Sequence, residues 1–197
     1  MKKVILAVAL AIVGGVILMV IIGISSYNSL VSMDEGVTSS WANVETAYQR
    51  RADLIPNLVN TVKGYAEFEQ ETLTQVIEAR SKATSVNIDA NNLTPESINK
   101  FQSAQDGLSG ALSRLLVSIE RYPDLKANQN FMALQQELTN TENKISFERN
   151  KFNEKVKVYN SSVRKFPTAI IANMTGFEQR GYFKSQEGSD VAPEVNF

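Results

Sequence analysis

The chain of 197 residues contains no cysteine and no histidine. Without cysteine it can form no disulfide, no thiolate zinc site and no cysteine nucleophile. Without histidine it lacks the commonest metal ligand and the usual general base near neutral pH. The di-iron site of helical bundles needs two Glu-x-x-His motifs, so that class of enzyme is excluded. We therefore expect a protein that is not an enzyme and that binds no metal and no cofactor.

The chain has a low net charge and few prolines and glycines, and each of these features limits what the protein can be. The 20 basic and 21 acidic residues give a net charge of −1, and they form no basic stripe of the kind typical of nucleic-acid binding. The 5 prolines and 10 glycines lie mainly where helices are predicted to end. We expect no nucleic-acid partner and an almost entirely helical chain.

An apolar run near the N-terminus is the most prominent segment that is present. Every side chain from Val4 to Ile24 is apolar or glycine. About 20 such residues, at about 1.5 Å each along a helix, cross the hydrocarbon core of a bilayer. The run exceeds the apolar region of a cleaved signal peptide, and no good cleavage site follows it. It predicts a permanent membrane anchor, so the bilayer is the first expected partner, through residues 4–24.

Lysines on one side of this run predict its orientation. Lys2 and Lys3 precede it, and the next basic residue is Arg50. By the positive-inside rule, the N-terminus stays in the cytoplasm and the rest of the chain lies outside. A domain on the cytoplasmic side is the alternative.

Apolar residues continue at helical spacing after the anchor. Steps of three and four form a heptad seam of Tyr27, Leu30, Val37, Trp41, Val44 and Tyr48. Asp34 and Arg51 are the polar positions of this seam. Four helices are predicted: Tyr27 to Arg51, a second from a break or kink near Arg51–Asp53 to about Thr84, a third from Thr94-Pro95 to Pro123, and a fourth from Asp124 or Asn128 to Lys165.

The predicted fold is all-α, with an N-terminal transmembrane helix followed by an antiparallel four-helix bundle of long helices. The transmembrane helix and its lysines occupy residues 1–24, and the bundle occupies residues 25–166. Residues 167–197 form an amphipathic segment and an irregular tail. Phe166, Ile170, Ile171, Met174 and Phe177 recur near helical spacing in and beside that segment. They are expected to pack on the bundle, to lie on the membrane surface, or to dock a partner.

Several motifs resemble the bacterial LemA family. The most specific is Arg-Arg-Ala-Asp-Leu-Ile-Pro-Asn-Leu-Val at 50–59; others are Trp41-Ala42-Asn43-Val44, Tyr122-Pro123-Asp124-Leu125 and Phe166-Pro167. The resemblance covers about Tyr27 to Phe183. It implies a four-helix bundle behind one membrane anchor, and no established catalytic activity. A member of the family works in magnetosome membrane formation, which suggests membrane organisation, and older descriptions of the family place the bundle in the cytoplasm.

Polar residues recur on one side of the predicted fourth helix. At 100° per residue they fall within about 40° of one another and border the apolar stripe; they are Glu142, Arg149, Asn153 and Asn160. The first corner of the bundle adds Arg50, Arg51 and Asp53, and Asn57 lies beside an apolar stripe. We expect Arg50 or Arg51 to approach a carboxylate of a neighbouring helix, and the asparagines to make buried hydrogen bonds. These eight residues are interpreted as a network that fixes helix register, with a binding groove as the alternative.

The sequence therefore favours a membrane-anchored, noncatalytic helical scaffold or adaptor of the bacterial envelope, in the inner membrane. Its expected partner is another membrane or envelope protein, and a homo-oligomer is compatible with the pattern. The alternative is a sensing bundle that binds a small ligand or a peptide along the polar stripe of its fourth helix.

Overall fold

The structure is a computed structural model that describes residues 1–64 and 69–184, and every regular element in these ranges is an α-helix. In chain order the helices are α1 (Lys2–Lys63), α2 (Gln70–Ser85), α3 (Pro95–Ile119), α4 (Pro123–Lys126), α5 (Gln129–Arg164) and α6 (Thr168–Thr175). The predicted all-α class is confirmed, and so is the long apolar helix at the N-terminus. Tyr65, which falls within the predicted second helix, and the tail beyond Lys184 lie outside the described residues.

The apolar run forms the first part of α1, a helix of 62 residues. Its most apolar window has a mean hydropathy of 3.2, and none of that window is buried against the rest of the protein. By length and composition, α1 is the one helix in the described ranges that could cross a membrane. It continues through Ser25-Ser26 without interruption and carries the buried residues from Leu30 onward.

The break predicted near Arg51–Asp53 is wrong, because α1 continues to Lys63 with Pro56 inside it. A proline in a helix has no N–H to donate to the carbonyl four residues earlier, which here is that of Ala52. Arg80 of α2 replaces the missing donor, with its Nε 2.7 Å from the Ala52 carbonyl oxygen. The chain reverses between α1 and α2 instead, so the predicted second helix is the end of α1 plus α2.

Capping residues set the ends of the later helices much as predicted. The Thr94 hydroxyl accepts a hydrogen bond from the Ser97 amide at the start of α3, with Pro95 in the first turn. Asn128 caps α5 by accepting from the Phe131 amide. The fourth predicted helix therefore begins at the second of its two expected starts, and α4 is a single turn before it.

The long helices pack in pairs. α1 packs lengthwise against α5, α2 packs against α3, and α6 lies on α1 and α5. Contacts of Trp41 with Phe152, and of Arg51 with Glu142, show that α5 runs antiparallel to α1. Arg80 contacts Ala52 while α3 contacts α1 through Arg51 and Gln105, so the α2–α3 pair lies against the second half of α1.

Buried side chains form two apolar clusters along this assembly. The near cluster, toward the apolar run, includes Leu30, Trp41, Tyr48, Phe101, Phe152, Tyr159 and Phe183. The far cluster includes Ile55, Leu58, Val76, Leu108, Leu115, Phe131 and Leu138. Residues that separate the two in sequence on α1, α3 and α5 are Arg51, Gln105 and Glu142. The core is thus divided by a polar layer.

Candidate functional site

Arg51 is the centre of the polar layer and is only 1% exposed. Its Nη1 donates to the Ser109 hydroxyl at 2.8 Å and to Glu142 Oε1 at 2.6 Å. Its Nη2 donates to the Gln105 side-chain oxygen at 2.7 Å and to the Gln105 carbonyl at 3.2 Å. The Nε atom has no hydrogen-bond partner among the described residues. One guanidinium therefore ties α1 to both α3 and α5.

Burying this charge requires the partners that surround it. An unpaired buried ion costs several kcal/mol, whereas a hydrogen-bonded pair roughly offsets its own desolvation. The Glu142 side chain is 47% exposed, so the ion pair stands at the edge of the core with the arginine inside. The guanidinium also lies over the Tyr48 ring, 5.0 Å from its centroid. The Arg51 guanidinium is therefore hydrogen-bonded to residues of both α3 and α5 while the carboxylate of the pair stays partly in solvent.

The other predicted residues of the first corner lie on the surface. Arg50 pairs with Glu137 of α5, and both side chains are substantially exposed. Asp53 accepts a hydrogen bond from Gln49, one turn earlier. Asn57 is exposed, so the expectation that its side chain makes buried hydrogen bonds is wrong.

Two asparagines of α5 hold a non-helical stretch of the chain, residues 177–184, which we call the C-terminal segment. Asn160 is 2% exposed; its Nδ2 donates to the Arg180 carbonyl at 2.9 Å, and its Oδ1 accepts from the Arg180 amide at 2.8 Å. Asn153 makes the same pair of bonds with Phe183, at 2.9 and 3.0 Å. Each side-chain amide thus bonds a backbone amide and carbonyl as a neighbouring β-strand would.

Other side chains extend this pattern along the C-terminal segment. Gln102 of α3 bonds both the amide and the carbonyl of Lys184, each at 3.0 Å. Arg149 donates to the same carbonyl at 2.8 Å. The Tyr159 hydroxyl donates to the Glu178 carbonyl at 2.9 Å. The polar stripe of α5, with Gln102 opposite, therefore supplies hydrogen bonds to a backbone that belongs to no helix or sheet among the described residues.

An ion pair fastens the C-terminal segment to α1. Arg180 donates to Asp34 through Nε at 3.0 Å and through Nη2 at 2.7 and 3.0 Å. Its Nη1 donates to the Asn91 carbonyl in the loop before α3. Both side chains are mostly buried, at 15% and 24% exposed. A forked guanidinium–carboxylate contact of this kind is geometrically specific.

Apolar contacts complete the seat of the C-terminal segment. Phe183 is 4% exposed and stacks on Trp41, with ring centroids 5.9 Å apart and planes at 16°. Its edge contacts Phe152 and Phe101. At Gly181 a Cβ would lie 2.8 Å from the Thr94 carbonyl oxygen and from Pro95 Cα, so only glycine allows this approach.

Several residues of this site were not identified in the sequence, namely Gln102, Gln105, Ser109, Arg80 and Arg180. One signal was available for the ion pairs. Asp34 and Arg51 interrupted an otherwise apolar seam, and each is now found paired with an opposite charge from a distant part of the chain. Glutamines on α3 gave no such signal, because an amide on a helix is usually solvated.

Burial shifts the ionisation of two tyrosines and one glutamate. Burial raises the pKa of Tyr159 to about 12, with a further increase from the nearby Asp34 carboxylate and an opposing effect of Arg180. Burial also raises the pKa of Tyr48, against the lowering effect of Arg149 and Arg51. For Glu45, burial raises the pKa and the nearby indole of Trp41 lowers it in part; among the described residues that indole N–H has no hydrogen-bond partner of ordinary geometry.

A cleft of about 270 Å³ opens beside the site, between α1, α3 and the loop after α2. Glu45, Tyr48, Gln105 and Asn87 are among its lining residues. It lies away from the α5 stripe, whose asparagines are bonded to the C-terminal segment. Among residues 1–64 and 69–184, no three acidic side chains are grouped as a metal site would need.

Together these features define an all-helical protein with one long apolar N-terminal helix and a polar stripe bonded to its own chain. The model of the LemA family matches residues 40–197. The chain belongs to the LemA family.

Three relatives show how far the similarity extends. Magnetosome protein MamQ of Magnetospirillum gryphiswaldense is 25% identical over 193 residues, covering 86% of this chain and 70% of the relative. Magnetosome protein MamQ 2 of Paramagnetospirillum magneticum is 25% identical, with 84% and 67% covered. Protein LemA of Metamycoplasma hominis is 26% identical over 160 residues, with 81% and 69% covered.

Proposed function

We propose that this protein is a membrane-anchored, noncatalytic helical scaffold or adaptor of the bacterial envelope. The second part of α1, with α2, α3 and α5, forms an antiparallel four-helix bundle on the outer side of the inner membrane. The observation that carries the proposal is the polar stripe of α5. Its asparagines, the groups best suited to bind a ligand, are bonded on both donor and acceptor sides to the chain itself.

The anchor has support from exposure as well as composition. Large apolar side chains between Val4 and Ile24 are at least 42% exposed, and no other part of the described protein covers them. Such a band needs an apolar surrounding, which a bilayer supplies. The proposed orientation rests on Lys2 and Lys3, because positive charge is retained on the cytoplasmic side.

Exposed apolar residues far from the anchor are candidate contacts for a partner protein. Val117 at the end of α3 is 72% exposed, and Phe147 on α5 is 59% exposed. Buried cores of interfaces favour such aromatic and aliphatic side chains. The sensing alternative needs a ligand in the cleft beside Tyr48, or a peptide that displaces the C-terminal segment from the α5 stripe.

Site-specific photocrosslinking in intact cells tests the scaffold proposal. A photoreactive phenylalanine replaces Val117 or Phe147, and Ser81, exposed on α2, is the matched polar position. We expect discrete protein adducts from one of the two apolar positions and none from Ser81. Native mass spectrometry of the purified full chain is the counterpart. If the purified chain carried a stoichiometric small molecule and no protein adduct formed in cells, the scaffold proposal would be rejected in favour of the sensing alternative.

Orientation is tested on the cysteine-free chain with a single Ser113→Cys substitution. Ser113 is exposed on α3, so its thiol is accessible wherever the bundle lies. A membrane-impermeant maleimide should label it in intact spheroplasts as fully as in lysed ones. Labelling only after lysis would place the bundle in the cytoplasm.

A further inference from the structure

Helix α6 has one face inside the protein and one outside it. On the inner face Ala172 is fully buried in the near cluster, and Ile171 packs against that cluster. On the outer side Phe166, just before the helix, is 83% exposed, Ile170 is 52% exposed and Met174 is 78% exposed. Spacing of four places Ile170 and Met174 on one stripe of the helix, and Phe166 lies just before that stripe in the chain. A small helix thus presents large apolar side chains that the described residues leave uncovered.

The position of α6 along α1 identifies what covers that stripe. A Cβ at Gly23 would lie 3.7 Å from Ile171 Cδ1, so α6 touches α1 at the last turn of the apolar run. Phe177, just after α6, packs edge-on against Tyr27, with ring centroids 5.9 Å apart. If the run from Val4 to Ile24 spans the hydrocarbon core, the helix contacting its end lies at the level of the headgroups.

The residues in and around α6 have a composition that is typical of a helix at the level of the lipid headgroups. No charged residue occurs from Phe166 to Phe177. Arg164 and Lys165 precede this stretch directly and are exposed, so long cationic side chains border it and can reach toward the headgroups. Tyr27 on α1 is 43% exposed at the same height, a placement typical of aromatic residues at a membrane interface.

We propose that α6 is a membrane-surface helix, with Phe166, Ile170 and Met174 inserted at the boundary between headgroups and acyl chains. The proposal rests on the membrane anchor of the proposed function. A helical domain that is joined to a bilayer by a single helix can tilt freely. A second contact with the bilayer, made by α6 beside that helix, limits the tilt of the domain. Since α6 also packs on α5, the contact reaches the bundle through both long helices.

Depth measurement on the full chain in vesicles of phosphatidylcholine and phosphatidylglycerol tests this inference. Because the chain lacks cysteine, a nitroxide can be attached at one introduced thiol. The test position is Met174→Cys, with Phe166→Cys as a second; both side chains are exposed, so the fold should persist, as circular dichroism checks. Leu10→Cys marks the bilayer core, and Ser113→Cys marks water.

The readout is the collision rate with oxygen divided by that with a water-soluble nickel chelate. We expect a severalfold higher ratio at 174 than at 113, and a lower ratio than at 10. A ratio at 174 equal to that at 113, with position 10 embedded, would overturn the surface helix and leave the anchor standing. Low collision with both reagents at 174 would overturn it in favour of a covering protein. A water-like ratio at position 10 would overturn the anchor and this inference together.

Discussion

The two apolar clusters of this protein are built in different ways. In the near cluster, aromatic rings from α1, α3 and α5 meet Phe183, which comes from a segment that is not helical. In the far cluster, the buried described members are aliphatic apart from Phe131, and all come from helices. Side-chain amides join the near cluster to residues 177–184, while the apolar contacts of the far cluster are made between helices.

This difference separates two ways of specifying a fold. Aliphatic side chains at helical spacing bury area without directional bonds, so the far cluster needs only size and pattern. The C-terminal segment must be positioned residue by residue, since each amide side chain has to meet one backbone unit. Damage to that segment should therefore affect the near cluster selectively, whereas damage at the Arg51 layer should affect both.

The largest effect is expected from Phe183→Ala. Loss of a buried aromatic side chain costs about 3–5 kcal/mol of unfolding free energy. The matched variant is Phe131→Ala, which removes the buried aromatic ring of the far cluster. Denaturant unfolding should show comparable losses for both. Hydrogen exchange should show faster exchange of the amides of residues 178–184 in Phe183→Ala, and unchanged exchange there in Phe131→Ala. Faster exchange of these amides in both variants would remove the distinction between the clusters.

The next effect is an asymmetry within the polar layer. Glu142→Met leaves the buried Arg51 guanidinium without its counter-charge and should cost about 3 kcal/mol. Arg51→Met leaves a carboxylate that is already half exposed, so the loss should be smaller. The double variant should lie close to the parent, because two apolar side chains replace the pair. Equal losses for the two single variants would argue against a buried arginine with an exposed partner.

The hydrogen bond from Arg80 to the Ala52 carbonyl, which replaces the donor that Pro56 lacks, should be measurable by a double-mutant cycle. Arg80→Ala leaves the carbonyl of the buried residue Ala52 without a hydrogen-bond donor, and should lower the free energy of unfolding by about 1–3 kcal/mol. Pro56→Ala restores the missing helix N–H, so the same Arg80→Ala change should cost clearly less in that background. Additive effects of the two changes would mean that Arg80 does not replace the proline's lost donor.

Two glycines should respond in opposite directions to the same substitution. Gly181→Ala places a methyl group against backbone atoms of Thr94 and Pro95, and should lower stability and loosen the C-terminal segment. Gly107→Ala, on an exposed face of α3 with nothing within 4 Å, should raise stability by about 0.5–1 kcal/mol. Thermal unfolding of the two variants gives the signs directly.

The smallest effect concerns alkaline pH. The pKa of Tyr159 is raised to about 12 in the folded protein, above its value of about 10 in an unfolded chain. The folded state therefore keeps its proton longer, and stability from this group is present below about pH 10 and lost as pH rises toward 12. Tyr159→Phe should flatten this decline, as denaturant midpoints measured from pH 9 to 11 would show. An unchanged slope would mean that the phenol is not held by the C-terminal segment.

Much of the helical architecture follows from periodicity and from capping residues. Thr94-Pro95 and Asn128 fixed helix starts because the cap chemistry is local. The prediction at Pro56 failed because the donor that compensates for the proline comes from Arg80, 28 positions after the Ala52 carbonyl that it bonds. The sequence predicts the polar stripe of α5. It does not predict what the stripe binds, because no local pattern shows that residues 178–184 lie against it. Only the pairing of Asp34 with Arg180 left a trace, as a charge in an apolar seam.

Amide hydrogen exchange of the full chain in lipid nanodiscs measures the hold on the C-terminal segment most directly. The Arg180, Phe183 and Lys184 amides, bonded to Asn160, Asn153 and Gln102, should exchange far more slowly than an open chain. Asn153→Leu should release the Phe183 amide while α3 and α5 stay protected. Rapid exchange of all three amides in the unaltered protein, with both helices protected, would contradict a polar stripe that serves to bind its own chain.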